Sequence, residues 1–169
     1  AILTAFLKLA SQYSSLISFN GLGFDIPYLK KRFEHHGLDA LPEIPHLDIY
    51  QKISRFKAIL RLPNLKQKSL ETFLGIERED RYSGGDLINV YLEHTKQPDD
   101  QKASLLQLHN YEDLLGMPRL LPLISYPELF EGSFKVLSWE KNVYQTYEDG
   151  QELELLLTLA LDSPMPKRF

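Results

Sequence analysis

The stretch Leu16-Ile17-Ser18-Phe19-Asn20-Gly21-Leu22-Gly23-Phe24-Asp25-Ile26-Pro27-Tyr28-Leu29 constrains the chain more than any other. An apolar, β-prone run stops at Asn20-Gly21, a dipeptide that turns the backbone, and Gly23 interrupts it again. A helix is expected beyond. Pro27 suits a first helical turn, where its missing N–H costs nothing. Ile26, Leu29 and Phe33 then share one face, and Gly37 is a natural C′ residue. The carboxylate of Asp25 therefore stands where a strand gives way to a helix N-terminus. It can cap the helix by accepting from free backbone N–H groups, or face the positive end of the dipole as a ligand.

Other elements follow from local pattern. Ile2, Leu3, Phe6, Leu7, Ala10 and Tyr13 recur at helical spacing, as on an amphipathic helix. Leu16 to Phe19 is apolar on both sides, as a buried central strand would be. His35 and His36 fall in the last turn of the helix after Asp25, where cations suit the dipole. Being adjacent, they point in different directions and read as cap and surface residues. Pro42 and Pro45 frame a loop before a short strand at His46–Tyr50. Asp48 either caps the helical pattern of Gln51–Leu60 or approaches a site. Ser69 is the expected N-cap of a helix that packs Leu70, Phe73 and Leu74 and ends at Gly75. Tyr82-Ser83-Gly84-Gly85-Asp86 is either a plain turn before a Leu87–His94 helix or a place for close backbone approach to a ligand.

Asp99 and Asp100 suit the start of a further helix. Within it, His109 and Asp113 lie four apart and face the same way, as a surface ion pair or as part of a site. Pro118 removes a helical N–H, so a kink is expected around Leu114–Met117. Composition changes at Tyr126-Pro127, which divides the chain into 1–125 and 126–169. The second part reads as β-rich. Phe134–Leu137 and Asn142–Tyr147 form strands, Glu148-Asp149-Gly150-Gln151 a hairpin turn, and Leu153, Leu155, Leu157, Leu159 and Leu161 alternate along one strand.

Composition excludes several classes. No apolar run is long enough to span a membrane, and no secretory signal is visible. The chain has no cysteine, so disulfides and thiolate metal sites are excluded, and a cytoplasmic location is expected. A net charge of −4 argues against a broadly basic nucleic-acid binder. It leaves room for a nuclease whose metal ions meet the phosphate. The basic residues Lys30, Lys31, Arg32, Arg55, Lys57, Arg61, Lys66 and Lys68 read mostly as solvated helix faces.

The string Asn-Gly-x-x-Phe-Asp-Ile-Pro-x-Leu-x-x-Arg, from Asn20 to Arg32, resembles the second exonuclease motif of the DEDD superfamily. These are RNase H-like 3′–5′ exonucleases that include the proofreading domains of family-B DNA polymerases. The similarity is greatest to the YprB-like branch, whose Leu-Lys-x-x-Ser-Leu segment also has a counterpart at Leu65–Leu70. Leu105–Leu115 is similar to the third exonuclease motif.

The resemblance implies an α/β, RNase H-like fold lacking its first strands, with a β-rich C-terminal appendage. It implies a metal-dependent 3′–5′ exonuclease acting on single-stranded ends of DNA or RNA. Two Mg²⁺ or Mn²⁺ ions would be held by four acids, of which Asp25 would be the third and Asp113 the fourth. His109 would act as general base or position the attacking water, and Asn20 and Phe24 would contact the strand. Phe24 reads equally as a core aromatic. His109 stands at the spacing that a Tyr occupies in one subgroup, a departure that bears on its role.

The first motif, Asp-x-Glu on an opening strand, has no counterpart before residue 16, and Glu152-Leu-Glu154 lies in the wrong place and order. The expectation is a fragment that is inactive by itself, its two-metal site incomplete. Two alternatives stand beside it. One is a non-catalytic module that binds nucleic acid or protein. The other is a shortened fold whose Leu153–Leu161 strand takes the vacant sheet position.

Overall fold

The computed structural model describes residues 1–132, 134–145 and 150–166. The chain divides into two compact units, Ala1–Leu121 and the segment from Pro122 onward. The first unit runs α1 (Ile2–Ala10), β1 (Leu16–Ser18), α2 (Asp25–His35), β2 (His46–Asp48), α3 (Ile49–Ile53) with a 3-10 turn at Ser54–Phe56, α4 (Gln67–Phe73), α5 (Gly84–Lys96) and α6 (Asp100–Arg119). Helix α1 turns Leu3, Phe6, Leu7 and Ala10 inward, as its periodicity requires, and Phe6 stacks on Phe33 at 6.5 Å. Phe33, Ile49, Ile53, Phe56, Leu60, Leu65 and Leu70 form the apolar core.

Strands β1 and β2 pair in parallel, with Leu16 opposite His46 and Ser18 opposite Asp48. Ser18 Oγ and His46 Nε2 lie 2.7 Å apart across the ladder. The expected burial of β1 on both faces is not found: Ile17 is 37% exposed. Among the described residues this sheet has two strands. A strand with a single neighbour keeps an open edge, whatever its apolar content.

The turn after β1 is built by close approach. Asn20 adopts the left-handed conformation, φ 59°. A Cβ on Gly21 would lie 2.6 Å from Ser18 Cβ, so only glycine passes there. Asp48 holds this turn from below. Its carboxylate accepts from Asn20 N–H and Leu22 N–H, both at 2.9 Å, and caps α3 through Gln51 N–H at 3.3 Å. Asp48→Ala should lower the unfolding free energy by about 2 kcal/mol, since a helix cap and two turn donors lose one charged acceptor. Urea denaturation measures it, and a loss below about 0.5 kcal/mol, the level of an ordinary surface change, would show that the turn stands without Asp48.

Two expected caps are corrected. Asp25 is the first residue of α2 rather than its N-cap; Phe24 is the cap and makes no side-chain cap bond. Ile26 N–H instead finds the Gly21 carbonyl at 2.8 Å, which leaves the Asp25 carboxylate outside the capping role. Ser69 lies inside α4, whose N-cap is Lys66; the Ser69 hydroxyl donates to Asn64 Oδ1 at 2.7 Å. Ser83 caps α5 in a reciprocal box with Asp86. Asp99 caps α6, and that helix continues through Pro118 to Arg119.

A 3-10 turn (Leu121–Ile124) leads into the second unit, which holds α7 (Ser125–Phe130) and two long antiparallel strands, β3 (Phe134–Gln145) and β4 (Gln151–Leu161). β3 is one strand where two were expected, because Ser138–Lys141 continues the extended pattern. Part of the expected turn, residues 148–149, lies outside the described residues, as do 146 and 147. The register irregularity between Val136 and Ser138 realigns β3. Phe134 and Val136 pair with Leu161 and Leu159, and Trp139 and Val143 pair with Leu157 and Leu153. The five alternating leucines of β4 thus share one face with Phe134, Val136, Trp139 and Val143, and Leu155 lies opposite Lys141. β4 pairs with β3 and not with the β1–β2 sheet, which removes the shortened fold in which it fills a vacant sheet position.

Candidate functional site

A cleft of about 820 Å³ lies within the first unit, and Asn20, Phe24, Asp25, His109 and Asp113 all line it. They arrive from two directions. The β1–α2 turn supplies Asn20, Phe24 and Asp25, while α6 supplies His109 and Asp113. Phe24 is 74% exposed, which removes its reading as a core aromatic. Asp25 is exposed, and its Oδ2 lies 3.6 Å from the point a Gly21 Cβ would occupy.

The remaining walls combine aromatic rings with cations. Phe19 and Tyr50 line the cleft together and meet edge to face at 5.7 Å. Lys57, Lys66 and Lys68 reach the same space, as do Asn64, Gln67 and the Ser83–Gly85 entrance to α5. Lys57 and Lys66 are exposed. The glycine pair before the Leu87 helix begins a capped helix and lines the cleft.

Behind the α6 residues lies an ion cluster. The Arg78 side chain is 7% exposed. Its Nη1 meets Asp113 Oδ1 at 2.6 Å and Glu71 Oε2 at 3.0 Å, and its Nε meets Glu112 Oε2 at 3.3 Å. Nη2 stands 3.4 Å from Asp80 Oδ2 and donates to the His109 carbonyl at 3.3 Å. Burial pushes the guanidinium pKa down, but the bonds to Asp113 and Glu71 outweigh it and the net direction is up. Glu112 docks the incoming loop by accepting from Glu79 N–H at 2.8 Å and Asp80 N–H at 2.9 Å. Burial raises the Glu112 carboxyl, but those bonds and Arg78 hold it below the usual carboxylate range.

The side chain of Asp80 is fully buried. Its Oδ2 accepts from Lys68 Nζ at 2.6 Å and contacts His109 Nδ1 at 2.5 Å, while its Oδ1 accepts from Tyr82 N–H at 2.9 Å. Lys68 also donates to the Tyr82 carbonyl. Burial pushes the Asp80 carboxyl up; the bonds from Lys68, His109 and Tyr82 prevail and leave it at about 2. The other ring nitrogen of His109, Nε2, lies 3.3 Å from Asp113 Oδ2, as the four-residue spacing on α6 anticipates.

No motif covers Glu71, Arg78 or Asp80, and Lys68 and Glu112 fall at positions of the Leu65–Leu70 and Leu105–Leu115 segments to which no role is given. The run Glu77-Arg78-Glu79-Asp80-Arg81 looks like a solvated charge run. In the structure it alternates, with Glu77, Glu79 and Arg81 exposed and Arg78 and Asp80 turned inward. All five residues are charged, so nothing in the sequence marks that alternation.

A two-metal site needs several carboxylates on rigid elements around one point. Among the described residues, no group of three or more His, Asp or Glu side chains is arranged to hold a metal ion. Asp25 and Asp113 are the acids that line the cleft, and one oxygen of Asp113 already belongs to Arg78. The acids present here do not by themselves make a two-metal centre.

Among the described residues, no helix is long and apolar enough to cross a membrane. Neither the curated proteins nor the solved structures offer a match to this chain. The profile of the RNase H superfamily matches residues 1–125, which take in both motif segments and every residue of the cleft. The chain belongs to the RNase H superfamily.

Proposed function

We propose that this cleft takes a single-stranded nucleic-acid end and that the protein is a metal-dependent 3′–5′ exonuclease. The observation that carries this reading is the convergence of Asn20, Phe24, Asp25, His109 and Asp113 on one cleft walled by lysines and aromatic rings. Nucleases of the superfamily generally use divalent metals, and Mg²⁺ or Mn²⁺ is the expected ion. Because the acids here do not complete such a centre, the roles below concern the chain's own groups.

An exposed Phe24 offers a face on which any base can stack, and the lysines offer charge to the sugar–phosphate backbone. Asn20 supplies an amide to the strand. His109 accepts a proton from the attacking water at Nε2 as the water oxygen joins phosphorus. The bond from phosphorus to the ester oxygen breaks, and that oxygen takes its proton from solvent.

The test follows labelled single-stranded DNA and RNA on the full-length protein with Mg²⁺ or Mn²⁺. Shortening from the 3′ end is expected, slowed at least about tenfold in Asp113→Asn. Phe24→Ala should weaken strand binding about tenfold, the cost of one stacked base. Equal cleavage by wild type and Asp113→Asn overturns the reading of Asp113 as part of the site. One observation favours a second reading, a non-catalytic nucleic-acid-binding module: Arg78 holds Asp113 at 2.6 Å, as in a purely structural ion pair. That reading expects strand binding sensitive to Phe24 and no cleavage under any metal.

A further inference from the structure

We propose that Asp80 is a positioning residue for this site: it locks the His109 ring with its proton on Nδ1 and presents the bare Nε2 to the cleft beside Asp113. This rests on the reading of His109 as the group that receives a proton from water.

The argument starts from hydrogen-bond chemistry. An ionised carboxylate only accepts, and a neutral imidazole carries one N–H and one lone pair. Asp80 has every reason to be ionised. Its side chain is fully buried, yet Lys68, Arg78 and the Tyr82 N–H all point positive charge or a donor at it. The 2.5 Å contact between Asp80 Oδ2 and His109 Nδ1 then requires the proton to be on Nδ1. The lone pair of the neutral ring is left on Nε2.

Nε2 has Asp113 Oδ2 as its neighbour at 3.3 Å, and both residues line the cleft. On the neutral ring this Nε2 is an acceptor, the nitrogen away from Asp80. A ring flipped to carry its proton on Nε2 would lose that acceptor and would set its Nδ1 lone pair against the Asp80 carboxylate. Asp80 itself cannot drift, because Lys68 grips both its side chain and its carbonyl and Glu112 accepts from its N–H. The loop 76–83 thus acts on the cleft through the His109 ring, although Asp80 does not line the cleft.

The experiment is a long-range ¹H–¹⁵N correlation spectrum of the histidine rings in the whole protein, recorded in alkaline buffer. The chain has five histidines, and His109→Gln identifies the signal. The expected spectrum of the wild type shows Nδ1 as the protonated, pyrrole-type nitrogen of His109. In Asp80→Asn, whose amide can accept or donate, the ring should become a mixture of tautomers. On oligonucleotide substrate the same variant should lose about tenfold in kcat with KM nearly unchanged.

A wild-type spectrum with the proton on Nε2 overturns the proposal, and this measurement stands even where Asp80→Asn fails to fold. An unchanged tautomer in folded Asp80→Asn also overturns it. The spectrum separates this proposal from the nuclease reading. A ring protonated on Nδ1 in a protein that cleaves nothing removes the nuclease and keeps the positioning. A ring protonated on Nε2 in an active nuclease does the reverse.

Discussion

Replacing Arg78 with Met should lower the free energy of unfolding by about 3–5 kcal/mol, the usual cost of removing one partner from a buried ion pair. The reason lies in the number of acids left behind. One guanidinium, 7% exposed, contacts Glu71, Asp80, Glu112 and Asp113. Methionine replaces the aliphatic stem of the side chain but offers these four carboxylates no donor. Since ordinary domains hold only about 5–15 kcal/mol in total, the variant would be close to unfolding at moderate temperature. Arg78→Lys keeps the charge but lacks the planar fork that reaches several oxygens at once. It should fall between wild type and Met. Denaturant titration of the three proteins checks the order, and a Met variant within about 1 kcal/mol of wild type would mean that Arg78 is not what joins the 76–83 loop to α6.

Gly116→Ala should cost a further large amount, about 2–3 kcal/mol, at a site where the same exchange in an open helix would help. Alanine favours a helix over glycine by about 1 kcal/mol. Here the new Cβ would meet Glu71 Oε1 at 2.0 Å, Glu71 Cδ at 3.0 Å and Gln67 Nε2 at 3.3 Å. A solvated glutamate would swing aside. Glu71 is 1% exposed, accepts from Gln67 at 3.0 Å and holds Arg78 at 3.0 Å. Moving it adds overpacking of about 1–3 kcal/mol to a weakened charged hydrogen bond of about 1.5–3 kcal/mol. These outweigh the propensity gain. A double-mutant cycle gives the sharper check. In a Glu71→Ala background the clash is gone, and Gly116→Ala should be neutral or stabilising. Equal costs in both backgrounds would show that the close approach of α4 and α6 is not the cause.

Both predictions concern the α4–α6 joint, which Gln67 completes by donating to the Asp113 carbonyl at 2.8 Å. This joint places the candidate site. Asp113 and His109 face the cleft because the charges behind them are satisfied, so a change at Arg78 or Gly116 should also disturb strand binding. The two α6 residues were legible as a pair from their spacing. Their surroundings were not, since Arg78 and Asp80 sit in a run of five charged residues that pattern alone assigns to solvent. Asp48 was half legible: its capping of α3 follows from local sequence, its hold on the Asn20 turn does not. Asp25 shows the converse. Its position before Pro27 suggested a cap, but a backbone carbonyl from the preceding turn took that part.

By itself the sequence determined whatever depends on a few neighbouring residues. The Asn20-Gly21 turn, the helix ends at Gly37 and Gly75 and the facing of His109 and Asp113 are of this kind, as is the shared face of the five β4 leucines. Each is a matter of backbone sterics or of the period of a helix or strand. The tertiary structure alone decided which charges are buried. Burying an ion is tolerable only where opposite charges from distant segments close around it, and the partners of Arg78 range from residue 71 to residue 113.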